Sequence, residues 1–361
     1  MDPLSEFLVM GAVIQMNLLQ IKERGLEFEQ LGKLPQDVLD FIYEQKLFKL
    51  FMSKELGGKD LDLVEGVKVF QQMSAIDGNF GWLITIGTGG NAFIPTFSAN
   101  VCEKIFMPKD AVIAGSGYPT GIAVKEEGGY VVTGQWKYCS GSNYASTFTM
   151  NCFIEEDGIK KDDIISCSVS PQDVEILNDW CAMGLKATAS HTIRVNNIWV
   201  PEEATFQLGA IKNSYGNSVH SFPFVTFAEA SFLSVCLGIT ENFLEEAYKL
   251  TKQRNHDINR AERIGALQFL LMQQQKHYKQ YEERFYTTLT LYWQKHQQGV
   301  LLTEDEQSQF TQMSKEIAAA CIDMANHLIR SLGMEAITET STLNRIWRNL
   351  YTAAQHGFLT P

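Results

Sequence analysis

The sequence predicts an α+β protein in which a module of short strands lies between two helical regions. Up to about residue 100 and again after Pro223, apolar residues recur at the spacing of amphipathic helices. From Val112 onward the pattern changes to short apolar runs bounded by turn residues. We therefore divide the chain into an N-terminal helical region, a middle strand region and a C-terminal helical region, at residues 1–110, 111–205 and 206–361.

Two apolar series indicate helices in the N-terminal region. The residues near helical spacing are Leu8, Val13, Leu18, Leu19, Ile21, Val38, Leu39, Phe41, Ile42 and Leu47. Pro35 stands where the first turn of a helix tolerates proline, and Gly57-Gly58 interrupts the region. The glycine-rich run at 87–90 lacks the GxxxxGK[ST] pattern of a phosphate loop and a preceding strand. We expect it to end a helix or to allow close backbone approach.

Five short apolar runs indicate strands in the middle region. They cover 122–124, 130–133, 147–154, 164–169 and 192–195, with turn signals at 128–129, 157–158 and 196–197. Regular spacing of short strands predicts a sandwich or a barrel. The stretch leaves no room for helices between strands, which a Rossmann nicotinamide-binding fold requires.

Long helices return after Pro223. The spacing predicts helices over 224–252, 258–298 and 304–333, the second about 60 Å long at 1.5 Å per residue. Such length is typical of a helical bundle. Thr303 and Glu306 form a capping box at the start of the third helix, and Gly333 ends it. We expect the last helix to begin near Thr340 or Ser341.

Composition excludes several partner classes. A net charge of −12 without a basic block argues against nucleic acid and anionic membranes, which need clustered Lys and Arg. Asp2 and Glu6 stand where a secretion signal carries basic residues, and no apolar run reaches the length of a membrane span, so a cytoplasmic location is expected. The cysteines lack CxxC spacing and the histidines lack HExxH spacing, so we expect neither disulfides nor a metal site.

Two clusters of small and aromatic residues in the middle region are candidate ligand-binding segments. The first, 134–141, contains Trp136 and Ser140, and the second, 180–191, contains Ser190. An aromatic wall with short polar side chains suits a flat ring, and small residues allow close approach to a pyrophosphate. The alternatives are a strand end with a core tryptophan and a loop that binds nothing.

Taken together with their flanks, these clusters resemble the acyl-CoA dehydrogenase superfamily over nearly the whole chain. The matching segments are Leu47–Leu50 with Gly57-Gly58, Ala75–Asp77 with Gly81-Trp82, Pro119–Gly121, both clusters, Asn197–Glu202, and Asn344–Asn349 with Gln355-His356. The resemblance implies an N-terminal helical domain, a middle β-barrel and a C-terminal four-helix bundle that enclose a flavin, either FAD or FMN. It also implies that the flavin is bound by Trp136, Ser140, Gly141, Ser190 and Arg345. At Ala187 and Ala189, many relatives have glycine.

The last helix supplies the acid–base candidates. Arg345, Asn349, Thr352 and His356 share one helical face. This helix resembles that of the flavin-dependent monooxygenases of the superfamily, which implies that His356 exchanges protons near the flavin. Glu339 stands one position from the glutamate base of the true dehydrogenases. It is either a base or an acid in the first helical turn.

Three functions therefore remain open. The first is a monooxygenase that acts on a small molecule with oxygen and reduced flavin from a separate flavin reductase. The second is an acyl-CoA dehydrogenase with FAD and Glu339 as base, passing electrons to an electron-transfer flavoprotein. The third is a flavin-binding protein without catalysis. The resemblance also implies a homotetramer.

Overall fold

The computed structural model describes residues 12–253 and 261–361. Within them, six helices precede the strands: α1 (Ala12–Glu23), α2 (Gly25–Leu31), α3 (Gln36–Glu44), α4 (Leu63–Ile76), α5 (Gly78–Gly89) and α6 (Ala99–Phe106). The strands are β1 (Ile113–Glu126), β2 (Gly129–Cys139), β3 (Thr147–Glu156), β4 (Ile159–Val169), β5 (Glu175–Ile176), β6 (His191–Pro201) and β7 (Thr205–Phe206). Four helices follow: α7 (Phe224–Gln253), α8 (Ala261–Gln297), α9 (Glu304–Leu332) and α10 (Thr342–Ala353). Leu8 and residues 258–260, which we predicted to be helical, lie outside the described residues.

The five predicted apolar runs all lie in strands of one seven-stranded sheet. Its order is β5-β6-β2-β1-β3-β4-β7, and the pairs are antiparallel except β1 with β3. Among the described residues this pairing is that of an open sheet with two-residue strands at both edges. The closure that a barrel requires is therefore not confirmed.

The predicted turn at 196–197 is wrong, because both asparagines lie inside β6. Val132 pairs with Ile198, whereas Gly134 pairs with Val195, so two residues of β6 face one residue of β2. Asn197 has a φ of 52°, a left-handed conformation that asparagine tolerates. The turn-forming residues therefore form a β-bulge that re-aims the strand without ending it.

The C-terminal helices begin and end close to the predicted positions. Thr303 Oγ1 accepts a hydrogen bond from the Glu306 backbone N–H, as the capping box predicts, and Ser341 caps α10. Helix α7 packs on α4 and α5 as well as on α8, α9 and α10. Since the two helical regions share one hydrophobic core, a separate four-helix bundle is not confirmed.

Helix α7 is the central element of this core. By length and composition it could cross a membrane, but 83% of its most apolar window is buried inside the protein. An apolar helix buried in this way is typical of a protein core. It places Phe232 beneath the end of α10.

Candidate active site

The two predicted clusters meet in a chain of buried hydroxyl groups. Ser140 Oγ lies 2.7 Å from Ser190 Oγ, and Ser190 Oγ lies 2.7 Å from Thr188 Oγ1. At one end the Trp82 indole N–H donates to Ser140 Oγ over 3.0 Å, and at the other Thr188 Oγ1 donates to the Leu185 carbonyl over 2.8 Å. The structure therefore brings Ser140 and Ser190 together, as a shared ligand site requires.

The hydrogen bonds at the two ends of this series of hydroxyl groups determine the direction of every hydrogen bond within it. The Thr188 hydroxyl hydrogen is committed to Leu185, so Ser190 must donate to Thr188 and Ser140 must donate to Ser190. A hydroxyl has one hydrogen and two acceptor lone pairs. Ser140 and Ser190 each retain one free lone pair and no free hydrogen. The pair consequently presents acceptors to a ligand.

The second cluster is fixed from two helices. The Asn349 side-chain oxygen accepts from the Leu185 N–H over 2.7 Å, and the Asn79 side-chain oxygen accepts from the Ala187 N–H over 2.9 Å. Asn349 belongs to the polar face predicted for the last helix. Ala189 has a φ of 45°, a left-handed conformation in which glycine is less strained. These contacts hold the loop rigidly beside the hydroxyl chain.

His356 lies in an aromatic cluster next to Trp82. Its ring stacks on Phe232 with 3.6 Å between centroids and lies 5.9 Å from the Trp82 ring, while Phe358 covers it at 5.4 Å. Burial lowers the pKa of His356 to about 4, so the imidazole is neutral at neutral pH. The Phe358 N–H donates to Nδ1 over 3.4 Å, which assigns the ring proton to Nε2. Through Trp82, the structure brings His356 together with Ser140.

An open cavity of about 220 Å³ lies beside Ser190. Its lining residues are Lys137, Tyr138, Asp179, Trp180, Cys181, Ser190 and Thr192. The Tyr138 and Trp180 rings meet edge to face at 6.3 Å, and Thr192 donates to the Asp179 carboxylate from both its N–H and its hydroxyl. Aromatic surfaces, a lysine and hydroxyl acceptors together fit an aromatic ring that carries an anionic chain, such as a flavin nucleotide.

Trp136 and Gly141 lie behind this surface. Trp136 is fully buried in the core of the sheet, where its indole N–H donates to the Asn151 carbonyl over 2.8 Å. Gly141 has a φ of 81°, and its N–H donates to the Thr188 carbonyl over 2.8 Å. Both support the first cluster from within the protein. Direct contact with a flavin stays a prediction for both residues.

Arg345 and Glu339 lie in different surroundings. Arg345 is buried beside Asp77, and its Nε has no hydrogen-bond partner among the described residues. Burial raises the pKa of Asp77, and the Arg345 charge opposes that rise. Glu339 is exposed in the turn before α10, and its backbone carbonyl accepts from Arg348 over 3.3 Å. The predicted roles of Arg345 and Glu339 remain predictions.

Three residues of the site were not selected from the sequence: Trp82, Thr188 and Phe232. Trp82 was noted only as part of a matching segment, although an indole has one N–H that needs a partner when buried. Phe232 is one apolar residue among many in α7, so periodicity gives no signal for it. Only the tertiary structure places these side chains together.

Sequence comparison relates the chain to known proteins. Residues 230–361 match the family model described as acyl-CoA dehydrogenase, C-terminal domain. The chain is 25% identical over 344 residues to a pigment production hydroxylase of Rhodococcus sp. (strain ATCC 21145), covering 92% of this chain and 87% of that protein. It is 28% identical over 194 residues to the flavin-dependent monooxygenase oxygenase subunit HsaA of Rhodococcus jostii (strain RHA1), covering 54% and 50% of the two chains.

Two of the matching solved structures share the fold over nearly the full length of this chain. The 3-HSA hydroxylase from Rhodococcus sp. RHA1 superposes with a TM-score of 0.90 at 20% identity, covering 96% of this chain and 92% of that one. XiaF from Streptomyces sp., solved in complex with FADH2 and glycerol, superposes with a TM-score of 0.86 at 20% identity, covering 97% and 93%. At this level of identity the likeness shows the fold.

Proposed function

We propose that this chain, which has the fold and the C-terminal sequence of the acyl-CoA dehydrogenase superfamily, is the oxygenase component of a two-component flavin-dependent monooxygenase. Its substrate is a small aromatic molecule. One observation carries the proposal. The Trp82 indole N–H donates to Ser140 of the Ser140–Ser190 hydroxyl pair, and the same indole lies against the neutral imidazole of His356.

The flavin is FAD or FMN, and in its reduced form it supplies the electrons that activate oxygen. Ser140 and Ser190 offer only acceptor lone pairs, which suits the N–H groups of a reduced flavin ring better than the nitrogen acceptors of an oxidised one. The cavity that Tyr138 and Trp180 line supports binding of the rest of the nucleotide.

His356 acts on the substrate in this proposal. Its imidazole is neutral with the ring proton on Nε2, so the Nε2–H can donate a hydrogen bond to the phenolic oxygen of the substrate. The stack on Phe232 fixes the ring orientation, and the surrounding aromatic rings exclude water from the reacting atoms. The exposed position of Glu339 gives the alternative dehydrogenase function no comparable support.

The partner of the chain is a separate flavin reductase in this proposal. No strand-and-helix pattern for nicotinamide binding occurs in the sequence, and the related HsaA is named an oxygenase subunit. We also propose a cytoplasmic homotetramer with domains at 1–110, 111–205 and 206–361, the middle one a barrel and the last a bundle. Exposed Phe269, Met272 and Leu291 on α8 support an interface between copies.

The direct test couples the purified chain to a flavin reductase, NADH and either FMN or FAD. Adding a phenol should produce a hydroxylated phenol only when the chain is present, and His356→Ala should abolish this product while flavin still binds. The opposing result is anaerobic bleaching of bound flavin by an acyl-CoA without any reductase. That result would favour the dehydrogenase function.

A further inference from the structure

Glu229 is a buried acid that the protein satisfies only in part. It lies in α7 with 1% of its surface exposed. One carboxylate oxygen, Oε1, accepts a hydrogen bond from Thr311 Oγ1 of α9 over 2.6 Å. The other oxygen, Oε2, is buried and has no partner among the described residues. A buried carboxylate oxygen without a donor is costly, and such groups indicate a ligand or a functional role.

Its place on α7 connects it to the candidate active site. Phe232 follows Glu229 at the i+3 position, so the two side chains are neighbours on the helix surface. Long side chains in a helix lean toward its N-terminus, so Phe232 covers the turn that carries Glu229. The Phe232 ring meets His356 and Trp82. The acid therefore stands about one helical turn from the imidazole stack.

The negative charge of the acid is only partly compensated by its neighbours. Burial raises the pKa of Glu229, the Thr311 hydrogen bond and the Lys315 charge oppose the rise, and Lys315 is the one basic group that acts on it among the described residues. An ammonium group would supply the hydrogen-bond donor that Oε2 lacks.

We propose that Glu229 Oε2 binds the ammonium group of an aromatic amine, so that this monooxygenase selects phenols with a cationic side chain. The inference rests on the proposed function for the reaction, and it adds the substrate class and a specificity-determining residue. The hydroxylated ring would lie against Phe232 and His356, while the side chain reaches toward α9. Substrates with a carboxylate side chain would be repelled by the same acid.

The test compares three phenols that differ only at the end of the side chain: tyramine, tyrosol and 4-hydroxyphenylacetate. Binding to the full chain with FMN or FAD is measured by titration calorimetry at neutral pH. Tyramine should bind about tenfold more tightly than neutral tyrosol, and the acid most weakly. Equal affinity for tyramine and tyrosol in the unmodified protein would overturn the proposal, whatever any variant does.

The matched variants are Glu229→Gln and Glu241→Gln. Glu241 is a second acid on α7 whose pKa is raised by burial, but it lies by Glu282 of α8. Glu229→Gln should remove the preference for tyramine, and Glu241→Gln should keep it. A preference unchanged in a folded Glu229→Gln protein also contradicts the proposal. Binding is measured without turnover, so the two proposals can fail separately. Selective binding of tyramine without hydroxylation would contradict the proposed function alone. Hydroxylation without selective binding would contradict this inference alone.

Discussion

Trp82 and Ser140 are 58 residues apart in the sequence and are joined by a 3.0 Å hydrogen bond from the indole N–H to the hydroxyl oxygen. The same indole packs on Phe232 and His356. One side chain of α5 therefore contacts both the hydroxyl pair beside the sheet and the imidazole that follows α10.

Trp82→Phe should weaken flavin binding and stability together. The ring remains, but Ser140 loses the indole N–H donor, and one net hydrogen bond contributes about 1 kcal/mol. We expect the flavin dissociation constant to rise about fivefold and the free energy of unfolding to fall by about 1 kcal/mol. Trp199→Phe, at a half-exposed tryptophan, is the control and should change neither. Unchanged flavin affinity in Trp82→Phe would mean that Ser140 does not meet the ring.

His356 should make the protein acid-labile. Its pKa is lowered from 6.5 to about 4 by burial, so the unfolded chain binds more protons between those values. The stability that neutral His356 contributes is complete above pH 6.5 and is lost as pH falls toward 4. His356→Phe keeps a stacked ring that cannot bind a proton. Urea unfolding at pH 7 and pH 5 should show that the wild type loses more stability than the variant. Equal losses of stability in the two proteins would indicate that the imidazole is exposed to water.

Ala189 and Ala187 should respond differently to glycine. Both are buried, but only Ala189 has a left-handed φ, which costs alanine about 1–2 kcal/mol relative to glycine. In Ala189→Gly, the loss of this backbone strain offsets the loss of the buried methyl group and the greater entropy of the unfolded chain. We therefore expect a free energy of unfolding within about 0.5 kcal/mol of wild type. Ala187→Gly has no such relief and should lose about 1–2 kcal/mol. Equal losses in denaturant unfolding would contradict the left-handed assignment.

Gly184→Ala should separate the second cluster from α10. A Cβ there would lie 2.0 Å from the Arg348 carbonyl oxygen, which is backbone and cannot rotate away. We expect a loss of about 2–3 kcal/mol and weaker flavin binding. Gly265→Ala is the control, because nothing lies within 4 Å of its Cβ and the helix interior gains about 0.5–1 kcal/mol from alanine. Thermal unfolding of both variants measures these changes in stability. Normal stability in Gly184→Ala would show that the loop does not pack on α10.

Local signals predicted the elements of the fold well. The capping box at Thr303 and the cap at Ser341 are each set by residues within one helical turn, so the sequence contains the complete signal. The pair at 196–197 predicts a turn where the structure has a bulge, for a related reason. Asparagine tolerates a left-handed φ in a bulge as readily as in a turn, and only the partner strand distinguishes the two.

The site was predictable only in part. Ser140, Ser190 and His356 could be selected because their segments resemble a family, and the structure brings them together through Trp82. The contacts that join them cross from helix to sheet, and no periodicity reports such contacts. The unpaired carboxylate oxygen of Glu229 could not be predicted from the sequence either, because burial and the absence of a donor are properties of the folded protein.

The most direct measurement of the central claim is isotope transfer from molecular oxygen. The chain, a flavin reductase, NADH and flavin are incubated with a phenol under ¹⁸O₂, and the product is analysed by mass spectrometry. A monooxygenase should place one labelled atom in each hydroxylated product, and His356→Ala should yield peroxide in its place. Product without label, or oxygen consumption with no hydroxylated product from the wild type, would contradict the account.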